Sequence, residues 1–471
     1  MIEGLYLITP EGSEQQIIAT VTAALHGGAT VVQYRDKQRA PEQQVELGRQ
    51  LAALCRQAGA LFLVNDSPRL AVDCDADGVH LGQGDGSVLD ARKIVGPNRT
   101  VGVTARSVEQ AIKAEMAGAD YLGVGAVYAT GSKQDTELIG LEGLEKIRRA
   151  VKVPIVAVGG LNGRNGSAAL EAGADALAVI TAVAADPRPA LAARELSLLF
   201  NRKRDHGSTR VMTVAGSDSG GGAGIQADLK TIALLGSYGS SAITVLTAQN
   251  TLGVHGLLPA SAEFVARQME LILDDIGTDT VKTGMLYSAE IIDAVVSAID
   301  RRNLLAVVDP VMIAKGGAAL LKKEAVRSLR ETLLPRTWLL TPNIPEAVAL
   351  TGLTIGSLEE MEQAARALQR CGARHVLLKG GHRDDGDATD LLLVGDQAVF
   401  LPGERLATGS THGTGCSFAA ALATLLAQGC DLAEAAQTAK LFISTAIRQA
   451  IPIGQGHGPI NHIAGAQAVR G

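Results

Sequence analysis

Short apolar runs typical of β-strands alternate with amphipathic helical segments along the first 200 residues. Segments with helical periodicity, such as Glu14–His26 and Glu42–Ala58, separate most of the runs. Eight strand–helix units predict a (β/α)8 TIM barrel in an α/β protein, with an open doubly wound sheet as the alternative. The eight predicted strands are Leu5–Ile8, Thr30–Tyr34, Leu61–Asn65, Gly78–Leu81, Thr100–Thr104, Tyr121–Gly125, Pro154–Val158 and Ala176–Ile180.

Two local features add detail to the predicted barrel. Gly118-Ala119-Asp120 and Gly173-Ala174-Asp175 each end a helical segment and begin a strand, which makes a weak internal repeat. The spacing around Gly78 leaves room for only a short third helix.

A strand–helix alternation also runs through the second half of the chain, from Val211 onward. This pattern predicts a doubly wound α/β domain of about 260 residues. The predicted strands are Val211–Val214, Ala242–Leu246, Thr280–Lys282, Leu304–Val308, Trp338–Thr341 and His375–Leu378.

The two halves meet at Asn201–Arg210, the longest run without an apolar residue. Polar, charged, glycine-containing junctions are where domain boundaries fall. We therefore predict domains at residues 1–200 and 211–471 with a linker at 201–210, and we interpret Arg202–Arg204 as solvated linker. The alternative is a surface loop inside one domain.

Composition narrows the class of partner. Aromatic residues make up only 3% of the chain, and the net charge is −6, which does not suit a nucleic-acid stacking surface. No apolar stretch reaches transmembrane length, and the chain enters a strand without a signal peptide, so no membrane partner is expected. Five cysteines without a Cys-x-x-Cys motif favour a reducing cytoplasm. Small-molecule substrates are expected, and the oligomeric state stays open, a homo-oligomer included.

Polar residues follow seven of the eight strands predicted in the first half. The carboxyl ends of barrel strands form the active site of this fold, so these residues should share one mouth. Arg35, Lys37 and Lys133 would bring positive charge, and Asp66 and Asp85 would bring two carboxylates. This combination indicates a diphosphate bound through Mg²⁺. The alternative is that Asp66 caps a helix while the cations pair with surface acids.

The first half resembles thiamine-phosphate synthase. The resemblance rests on motifs that span nearly the whole half in order: Gln33-x-Arg35-x-Lys37, Asn65-Asp66, Gly78-Val79-His80-Leu81-Gly82-Gln83, Thr130-x-Ser132-Lys133 and Val158-Gly159-Gly160. It implies that the thiazole nitrogen displaces diphosphate from the pyrimidine methylene, with Arg35 and Lys133 as catalytic residues. Thr104 stands where serine is expected and keeps the hydroxyl, and His80 is interpreted as structural.

The resemblance also implies a ligand set for each barrel substrate. Asp66 and Asp85 would ligate Mg²⁺. The pyrimidine diphosphate would contact Gln33, Tyr34, Arg35, Asp36, Lys37, Asn65, Thr104 and Lys133. The thiazole phosphate would contact Thr130, Gly131, Ser132, Gly160, Ile180 and Thr181.

Two glycine-rich elements mark the second half, Gly216–Gly224 and Thr411–Cys416. Neither is a Walker P-loop, and no acidic residue closes the second strand as a dinucleotide site requires. The second element opens an apolar helix and therefore favours an anion site. Between the two elements, Asn343 and Glu346 either hold a hydrated Mg²⁺ or form a helix cap.

The second half resembles the ribokinase-like superfamily and, within it, hydroxymethylpyrimidine/phosphomethylpyrimidine kinase. The motifs are Ala215–Asp218 through Gly224–Asp228, Ala248–Thr251, Lys282–Met285, Asn343–Glu346, Lys379–His382 and His412–Cys416. Cys416 stands where the superfamily usually has its aspartate base. It would either act as a thiolate base, activated by the helix N-terminus, or only shape the anion hole.

The same resemblance implies ATP as co-substrate with Mg²⁺, and assigns the remaining kinase residues. The hydroxymethylpyrimidine would contact Gly216, Asp228, Gln249 and Met285. ATP and its phosphates would contact Asn343, Lys379, Gly413, Thr414 and Gly415. Mg²⁺ would contact Asp309 and Glu346.

The two halves fit together chemically, because the diphosphate product of such a kinase is the substrate of such a synthase. The sequence therefore predicts a bifunctional enzyme of thiamine biosynthesis. One rival is a pyridoxal-type or sugar kinase fused to an unrelated barrel, which Gln249 and Cys416 oppose. Another is a pathway sensor with a dead barrel, which the intact charged residues oppose.

Overall fold

The computed structural model describes residues 2–130, 137–312, 323–383 and 387–470. The chain divides into two compact units, residues 1–200 and 201–471. Each unit has its own sheet and its own core, and each is described separately below.

Eight parallel strands close the first unit into a barrel in sequential order. The TIM barrel is therefore confirmed, and each strand end lies within one residue of its predicted position. The strands are β1 (Gly4–Ile8), β2 (Ala29–Tyr34), β3 (Leu61–Asn65), β4 (Gly78–Leu81), β5 (Thr100–Ala105), β6 (Tyr121–Val124), β7 (Ile155–Val158) and β8 (Ala176–Val179).

Helices follow the strands and cover the barrel. Serine side chains cap four of them, because an extended serine offers its hydroxyl to the free N–H groups of the first turn. The third helix is short, as the spacing predicted. The helices are α1 (Glu14–His26), α2 (Pro41–Ala58), α3 (Pro68–Asp73), α4 (Val88–Val95), α5 (Val108–Met116), α6 (Gly140–Ala150), α7 (Gly166–Glu171), α8 (Thr181–Ala184) and α9 (Pro189–Leu198).

The weak repeat noted in the sequence has a structural role at the amino ends of the strands. Asp120 accepts a hydrogen bond from the backbone N–H of Val101 at 2.7 Å, and Asp175 accepts one from Ile155 at 2.9 Å. Each carboxylate therefore ties its own strand to the preceding one. The repeat lies at the end of the barrel opposite the predicted site, where it serves stability.

Strand alternation separates the barrel interior from the layer between strands and helices. Tyr6, Val31 and Tyr121 belong to the small interior cluster, whereas Leu5 and Val32 belong to the large outer one. Successive side chains of a strand point to opposite faces, so the register decides which residues can reach the mouth.

A nine-stranded sheet forms the second unit, in the order β11-β10-β9-β12-β13-β14-β15-β16-β17. The strands from β10 to β15 in this order are parallel, and antiparallel strands close both edges. The strands are β9 (Arg210–Asp218), β10 (Tyr238–Asn250), β11 (Gly253–Pro259), β12 (Thr280–Thr283), β13 (Leu305–Val308), β14 (Leu339–Leu340), β15 (His375–Leu378), β16 (Asp390–Val394) and β17 (Gln397–Leu401).

Helices cover both faces of this sheet, which confirms the doubly wound class. One layer contains α11, α12, α14 and α15, and the other contains α10, α16, α17 and α18. The helices of this unit are α10 (Gly224–Leu234), α11 (Ala262–Asp275), α12 (Ala289–Arg302), α13 (Lys323–Ser328), α14 (Ile344–Thr351), α15 (Leu358–Arg370), α16 (Thr414–Ala427), α17 (Leu432–Arg448) and α18 (His462–Arg470). None of the helices in the described ranges is both long and apolar enough to cross a membrane.

The start of the predicted linker is attached to the second unit. Asn201 is buried, and its side-chain amide donates to the backbone oxygen of Ala427 at 2.8 Å. Arg202 pairs with Glu434. The interpretation of Arg202 as solvated is therefore wrong, because a carboxylate on α17 holds its guanidinium. Residues 203–208 are exposed, as a linker would be.

We expect a fragment of residues 201–471 to be more stable than one of residues 205–471. Losing Asn201 leaves the Ala427 carbonyl buried without this donor, which costs about 1–3 kcal/mol. For a domain of this size the melting temperature of the shorter fragment should fall by at least about 2 °C. Asn201→Ala in the longer fragment should reproduce part of the fall, whereas Ser208→Ala, at an exposed position, should not. Equal melting temperatures for both fragments would show that these contacts contribute nothing.

Two candidate active sites

The mouth of the barrel brings together residues from neighbouring strand ends. Gln33, the second-last residue of β2, donates from its amide nitrogen to the Asn65 side-chain oxygen at the end of β3, at 3.1 Å. Gln33 is 3% exposed, so this pair forms part of the floor of the mouth. These two residues, which were predicted to share one mouth, therefore lie side by side.

Charged groups stand around this floor. The Arg35 guanidinium lies 3.8 Å from the Glu11 carboxylate, and the Lys37 ammonium lies 3.9 Å from the Asp66 carboxylate. At these distances the pairs are loose, and Lys37 is more than half exposed. Both cations thus have acidic neighbours, as the alternative reading held, yet neither is locked to its partner.

Asp66 has an unusual backbone conformation for a residue other than glycine, with φ at 66°. Its N–H donates to the backbone oxygen of His80 at 2.8 Å, which ties β3 to β4 beyond the strand itself. Ser67, the next residue, is the cap of α3, so the alternative that Asp66 caps a helix is wrong. Backbone strain of this kind concentrates at functional sites.

Asp85, the other predicted metal ligand, is exposed and accepts from the backbone N–H of Gly82 at 2.7 Å. Among the residues that the structure describes, no group of three or more His, Cys, Asp or Glu side chains is arranged to hold a metal ion. A pair of carboxylates suits Mg²⁺ nonetheless, because this ion takes one or two carboxylates and completes its shell with phosphate oxygens and water.

A chain of hydrogen bonds runs from the barrel interior to Thr104. The hydroxyls of Tyr6 and Tyr121 lie 3.0 Å apart, and the Tyr121 hydroxyl lies 2.9 Å from Nδ1 of His80. Nε2 of His80 lies 3.0 Å from the Thr104 hydroxyl. The network fixes the position of that hydroxyl at the mouth, and it gives His80 the structural role expected from the sequence.

Two predicted ligands point elsewhere. Tyr34 is 1% exposed and packs beside Phe62 in the outer core, because it lies on the opposite face of β2 from Gln33. Asp36 accepts hydrogen bonds from the Tyr34 hydroxyl at 3.1 Å and from the Arg39 guanidinium at 2.5 Å. These two side chains are therefore engaged elsewhere, and a contact of Tyr34 or Asp36 with the pyrimidine diphosphate would have to come from the backbone.

The expected phosphate seat lies after β7 and β8. Gly160 has φ at 64°, and a Cβ atom there would lie 2.5 Å from the backbone oxygen of Ala129. Glycine thus allows the turn after β7 to touch the segment that leads to Thr130. Ile180 and Thr181 follow β8 and begin α8. Gly131, Ser132 and Lys133 lie outside the described residues.

A cavity of about 700 Å³ lies in the second unit. It lies at the carboxyl end of the sheet, where ligands bind in doubly wound folds. Every residue that the sequence assigned to the kinase site lines this cavity, with the single exception of Asp228. The motifs are therefore brought together although they are up to 200 residues apart in sequence.

Asp228 is fully buried beneath the cavity. Its carboxylate lies 2.9 Å from the Lys282 ammonium, and the Thr213 hydroxyl donates to it at 2.6 Å. Burial raises the pKa of Asp228, although the ammonium opposes that rise. The predicted substrate contact of Asp228 is wrong, because the side chain is consumed by this buried ion pair.

The first glycine-rich element is wrapped around Asp218. This carboxylate accepts from the backbone N–H groups of Gly220, Gly222 and Ala223 at 2.8–3.0 Å, and from Nε2 of His412 at 3.0 Å. Burial would raise the pKa of Asp218, but these donors hold it below its usual range. Asp218 and His412 were not assigned functional roles from the sequence, although an aspartate before three glycines is a signal for such a turn.

The second glycine-rich element begins α16. Its cap, Gly413, has φ at 81°, and the backbone of Gly222 approaches so closely that no side chain would fit. No side-chain hydrogen bond caps this helix. The Thr414 N–H makes only a long hydrogen bond of 3.4 Å to the Thr411 oxygen, so the first N–H groups, at Thr414 and Gly415, offer an anion site at the cavity wall.

Cys416 lies in the first turn of α16 and lines the cavity. Burial raises the pKa of its thiol to about 11, and the nearby Lys282 ammonium only partly opposes this rise. The helix N-terminus favours a thiolate here, whereas burial opposes one, so burial favours the alternative in which Cys416 only shapes the anion hole.

A compact cluster of charges lies beside the second glycine-rich element, where a Cβ atom on Gly415 would lie 3.2 Å from the Lys379 ammonium. The Lys379 ammonium lies 2.9 Å from the Asp309 carboxylate. Glu346 is 6% exposed, and burial raises its pKa to about 7 against the opposing effect of Lys379. Asn343 and Glu346 form a capping box at the start of α14, so the cap alternative is present. Both buried carboxylates still line the cavity.

Comparisons with known proteins agree with both halves of the chain. The phosphomethylpyrimidine kinase family matches residues 218–461, and the thiamine monophosphate synthase family matches residues 5–183. Thiamine biosynthesis bifunctional protein ThiED of Geobacter sulfurreducens is 51% identical over 471 residues, which cover 100% of this chain and 96% of the relative.

Similarity extends to separate kinases. The hydroxymethylpyrimidine/phosphomethylpyrimidine kinase of Bacillus subtilis is 49% identical over 257 residues, or 54% of this chain and 95% of that protein. The crystal structure of an ADP complex of Bacillus subtilis pyridoxal kinase is 38% identical, with a TM-score of 0.52, covering 54% of this chain and 98% of the kinase. The chain therefore belongs to the family of bifunctional thiamine biosynthesis proteins, with a thiamine-phosphate synthase barrel followed by a hydroxymethylpyrimidine/phosphomethylpyrimidine kinase domain.

Proposed function

We propose that the kinase unit phosphorylates 4-amino-5-hydroxymethyl-2-methylpyrimidine and then its monophosphate, with ATP as donor. The barrel then couples the resulting diphosphate to hydroxyethylthiazole phosphate, which yields thiamine phosphate and diphosphate. The supporting observation is that one cavity combines an amide that can read a pyrimidine edge, Gln249, with an uncapped helix N-terminus and Lys379.

In the kinase site, positive charge and backbone N–H groups would bind the phosphates and neutralise their charge. The N–H groups at Gly413–Gly415 would hold the transferring phosphoryl, and Lys379 would neutralise charge on the nucleotide phosphates. Asp309 and Glu346 are the carboxylates that would hold Mg²⁺, which supplies charge neutralisation at the phosphates when bound. Both carboxylates are buried beside one lysine, so their uncompensated negative charge fits a divalent cation.

Cys416 would contribute as a neutral thiol that donates toward a phosphoryl oxygen. Phosphoryl transfer depends mainly on positioning and charge stabilisation, so a strong base is not needed. This role agrees with the raised pKa of the thiol.

Leaving-group stabilisation would carry the barrel reaction. The attacking thiazole nitrogen has no proton to lose, so no general base is required. Arg35, Lys37 and Lys133 would stabilise the departing diphosphate. Asp66 and Asp85 would hold Mg²⁺, which supplies further positive charge at the diphosphate when bound. Gln33 and Asn65 would orient the pyrimidine, and Gly160 would give its backbone to the thiazole phosphate.

The metal assignment in the barrel predicts that Asp66→Asn and Asp85→Asn each lower synthase kcat/KM by at least about 100-fold, because the diphosphate loses several kcal/mol of charge neutralisation. Kinase activity of the same chains should stay normal, because the kinase site lies in the other unit, and an unchanged melting curve shows that the barrel is folded. The measurement is thiamine phosphate formation from supplied pyrimidine diphosphate. Near-normal synthase rates in both variants would refute the metal assignment.

The reciprocal variant is Lys379→Met. It removes the ammonium from the kinase cavity but keeps much of its length, so we expect kinase kcat/KM to fall by at least about 100-fold. Synthase activity with supplied pyrimidine diphosphate should be unaffected. Lys440→Met, which removes another lysine of the cavity wall, is the matched control and should reduce turnover less.

The protonation state of Cys416 predicts a pH profile. With a pKa of about 11, roughly one thiol in a thousand is ionised at pH 8. If this rare thiolate were the required base, kinase kcat would rise tenfold per pH unit between pH 7 and 9. Because the neutral thiol is the proposed active form, we expect no such rise, and Cys416→Ser should keep kcat within about tenfold. Cys371→Ser, outside the cavity, is the control. A tenfold rise per unit that disappears in Cys416→Ser would establish a thiolate base instead.

A further inference from the structure

Gln249 is held between two side chains at the kinase cavity. Its amide nitrogen, as placed, lies 3.2 Å from Nε2 of His412, and its amide oxygen lies 3.2 Å from the Thr247 hydroxyl. Nε2 of His412 also lies 3.0 Å from the Asp218 carboxylate. The Thr247 hydroxyl also lies 2.9 Å from the backbone oxygen of Ser217. Nε2 of His412 and the Thr247 hydroxyl are thus each close to two possible hydrogen-bond partners, and each has at most one hydrogen to donate.

The hydrogen on His412 is assigned by Asp218. That carboxylate is an acceptor only, and it already takes three backbone N–H groups of the glycine-rich turn. Nε2 of His412 must therefore carry a hydrogen, whether the imidazole is neutral or charged. A nitrogen that carries a hydrogen cannot accept one, so the group of Gln249 that faces His412 has to be the amide oxygen.

Thr247 leads to the same assignment from the other end of the amide. A hydroxyl has one hydrogen, and the Ser217 carbonyl, which can only accept, takes it at the shorter distance. The oxygen of Thr247 can then only accept from Gln249. The group of Gln249 that faces Thr247 has to be the NH2 group.

Both neighbours thus require the same orientation of the amide, with its oxygen toward His412 and its NH2 group toward Thr247. An amide oxygen and nitrogen have nearly the same shape, so the orientation is decided by hydrogen bonds alone. One N–H and one lone pair of Gln249 remain for a ligand in the cavity, and their order is fixed.

Fixed order matters because two pyrimidines of the same shape present opposite patterns. A 4-aminopyrimidine offers a ring nitrogen as acceptor beside an amino donor, whereas the 4-oxo form offers a ring N–H donor beside an oxygen acceptor. A glutamine free to rotate its amide by half a turn could pair with either. A glutamine held in one orientation can pair with only one of the two pyrimidines. With the other pyrimidine, donor would face donor and acceptor would face acceptor.

We propose that Asp218 and His412 are positioning residues that fix the polarity of the Gln249 amide, and so make the kinase select an aminopyrimidine over the oxopyrimidine of the same shape. The proposal rests on the function proposed for this unit and names the device behind its selectivity. It also explains why the two glycine-rich elements are joined by a side-chain contact as well as through their backbones.

The test compares kcat/KM of the full chain for 4-amino-5-hydroxymethyl-2-methylpyrimidine and for its 4-oxo analogue. The native chain should prefer the amino compound by at least about 100-fold, since the wrong pattern leaves buried polar groups unpaired. His412→Phe keeps a ring but removes the N–H, and should reduce this ratio at least tenfold. His206→Phe, the same change at an exposed position, should leave the ratio unchanged.

A second variant guards against misfolding of the first. Thr247→Val removes the other anchor of the amide and should reduce the ratio by a smaller factor than His412→Phe. The melting curve of each chain shows whether the kinase unit is folded, and the synthase activity measures the amount of chain added.

Three results would overturn the proposal. The first is a native chain that phosphorylates both pyrimidines equally well, and the second is an unchanged ratio in both His412→Phe and Thr247→Val. In either case the kinase function itself would stand. The third is a native chain that phosphorylates neither compound, which would remove the proposed function together with this inference.

Discussion

The convergence of parallel strand ends is the constraint on which both sites depend. Parallel strands all finish at the same edge of a sheet, so side chains that follow different strands become neighbours. Gln33 and Asn65 meet in this way in the barrel, and Asp309 and Lys379 meet in the kinase unit at 2.9 Å. The members of the first pair are 32 residues apart in sequence and those of the second pair are 70 residues apart, yet the sheet alone places them in direct contact.

Buried charges then set the chemistry of the kinase cavity. Lys282 and Asp228 are both fully buried and satisfy each other, which holds β12 against α10 beneath the floor. Asp309, Glu346 and Lys379 form a second cluster that faces the cavity and leaves negative charge to be matched by a cation. Removing one member of either cluster would leave an unpaired buried charge, which is far more costly than losing the pair as a whole.

Much of this architecture could be predicted from the sequence, because strand length and apolar runs are local signals. All eight barrel strands lie within one residue of their predicted positions. Most of the predicted barrel-site residues stand at or just after the end of a strand, whereas the predicted anion site at Gly413–Gly415 lies at the start of a helix. The three antiparallel strands, β11, β16 and β17, were missed. The first of these contains two glycines and is largely exposed, so it lacks the buried apolar run that marked the central strands.

Side-chain direction and protonation were harder to predict than position. Tyr34 lies within the Gln33–Lys37 motif, but whether its side chain faces the barrel interior or the helices is decided only when the barrel closes. Asp228 lies in another motif, but its ion pair with Lys282, 54 residues away, forms only when α10 packs on the sheet. The sequence therefore does not reveal this ion pair. The pKa of Cys416 depends mainly on burial, which the local sequence around the helix N-terminus does not reveal.

If one chain carries out the two phosphorylations and the coupling in sequence, the stoichiometry of a single reaction should show it. Purified protein would be given the pyrimidine alcohol, hydroxyethylthiazole phosphate, ATP and Mg²⁺, and all products would be followed over time. We expect two ADP and one diphosphate for each thiamine phosphate at steady state. Formation of ADP without thiamine phosphate, or thiamine phosphate only when pyrimidine diphosphate is supplied, would contradict it.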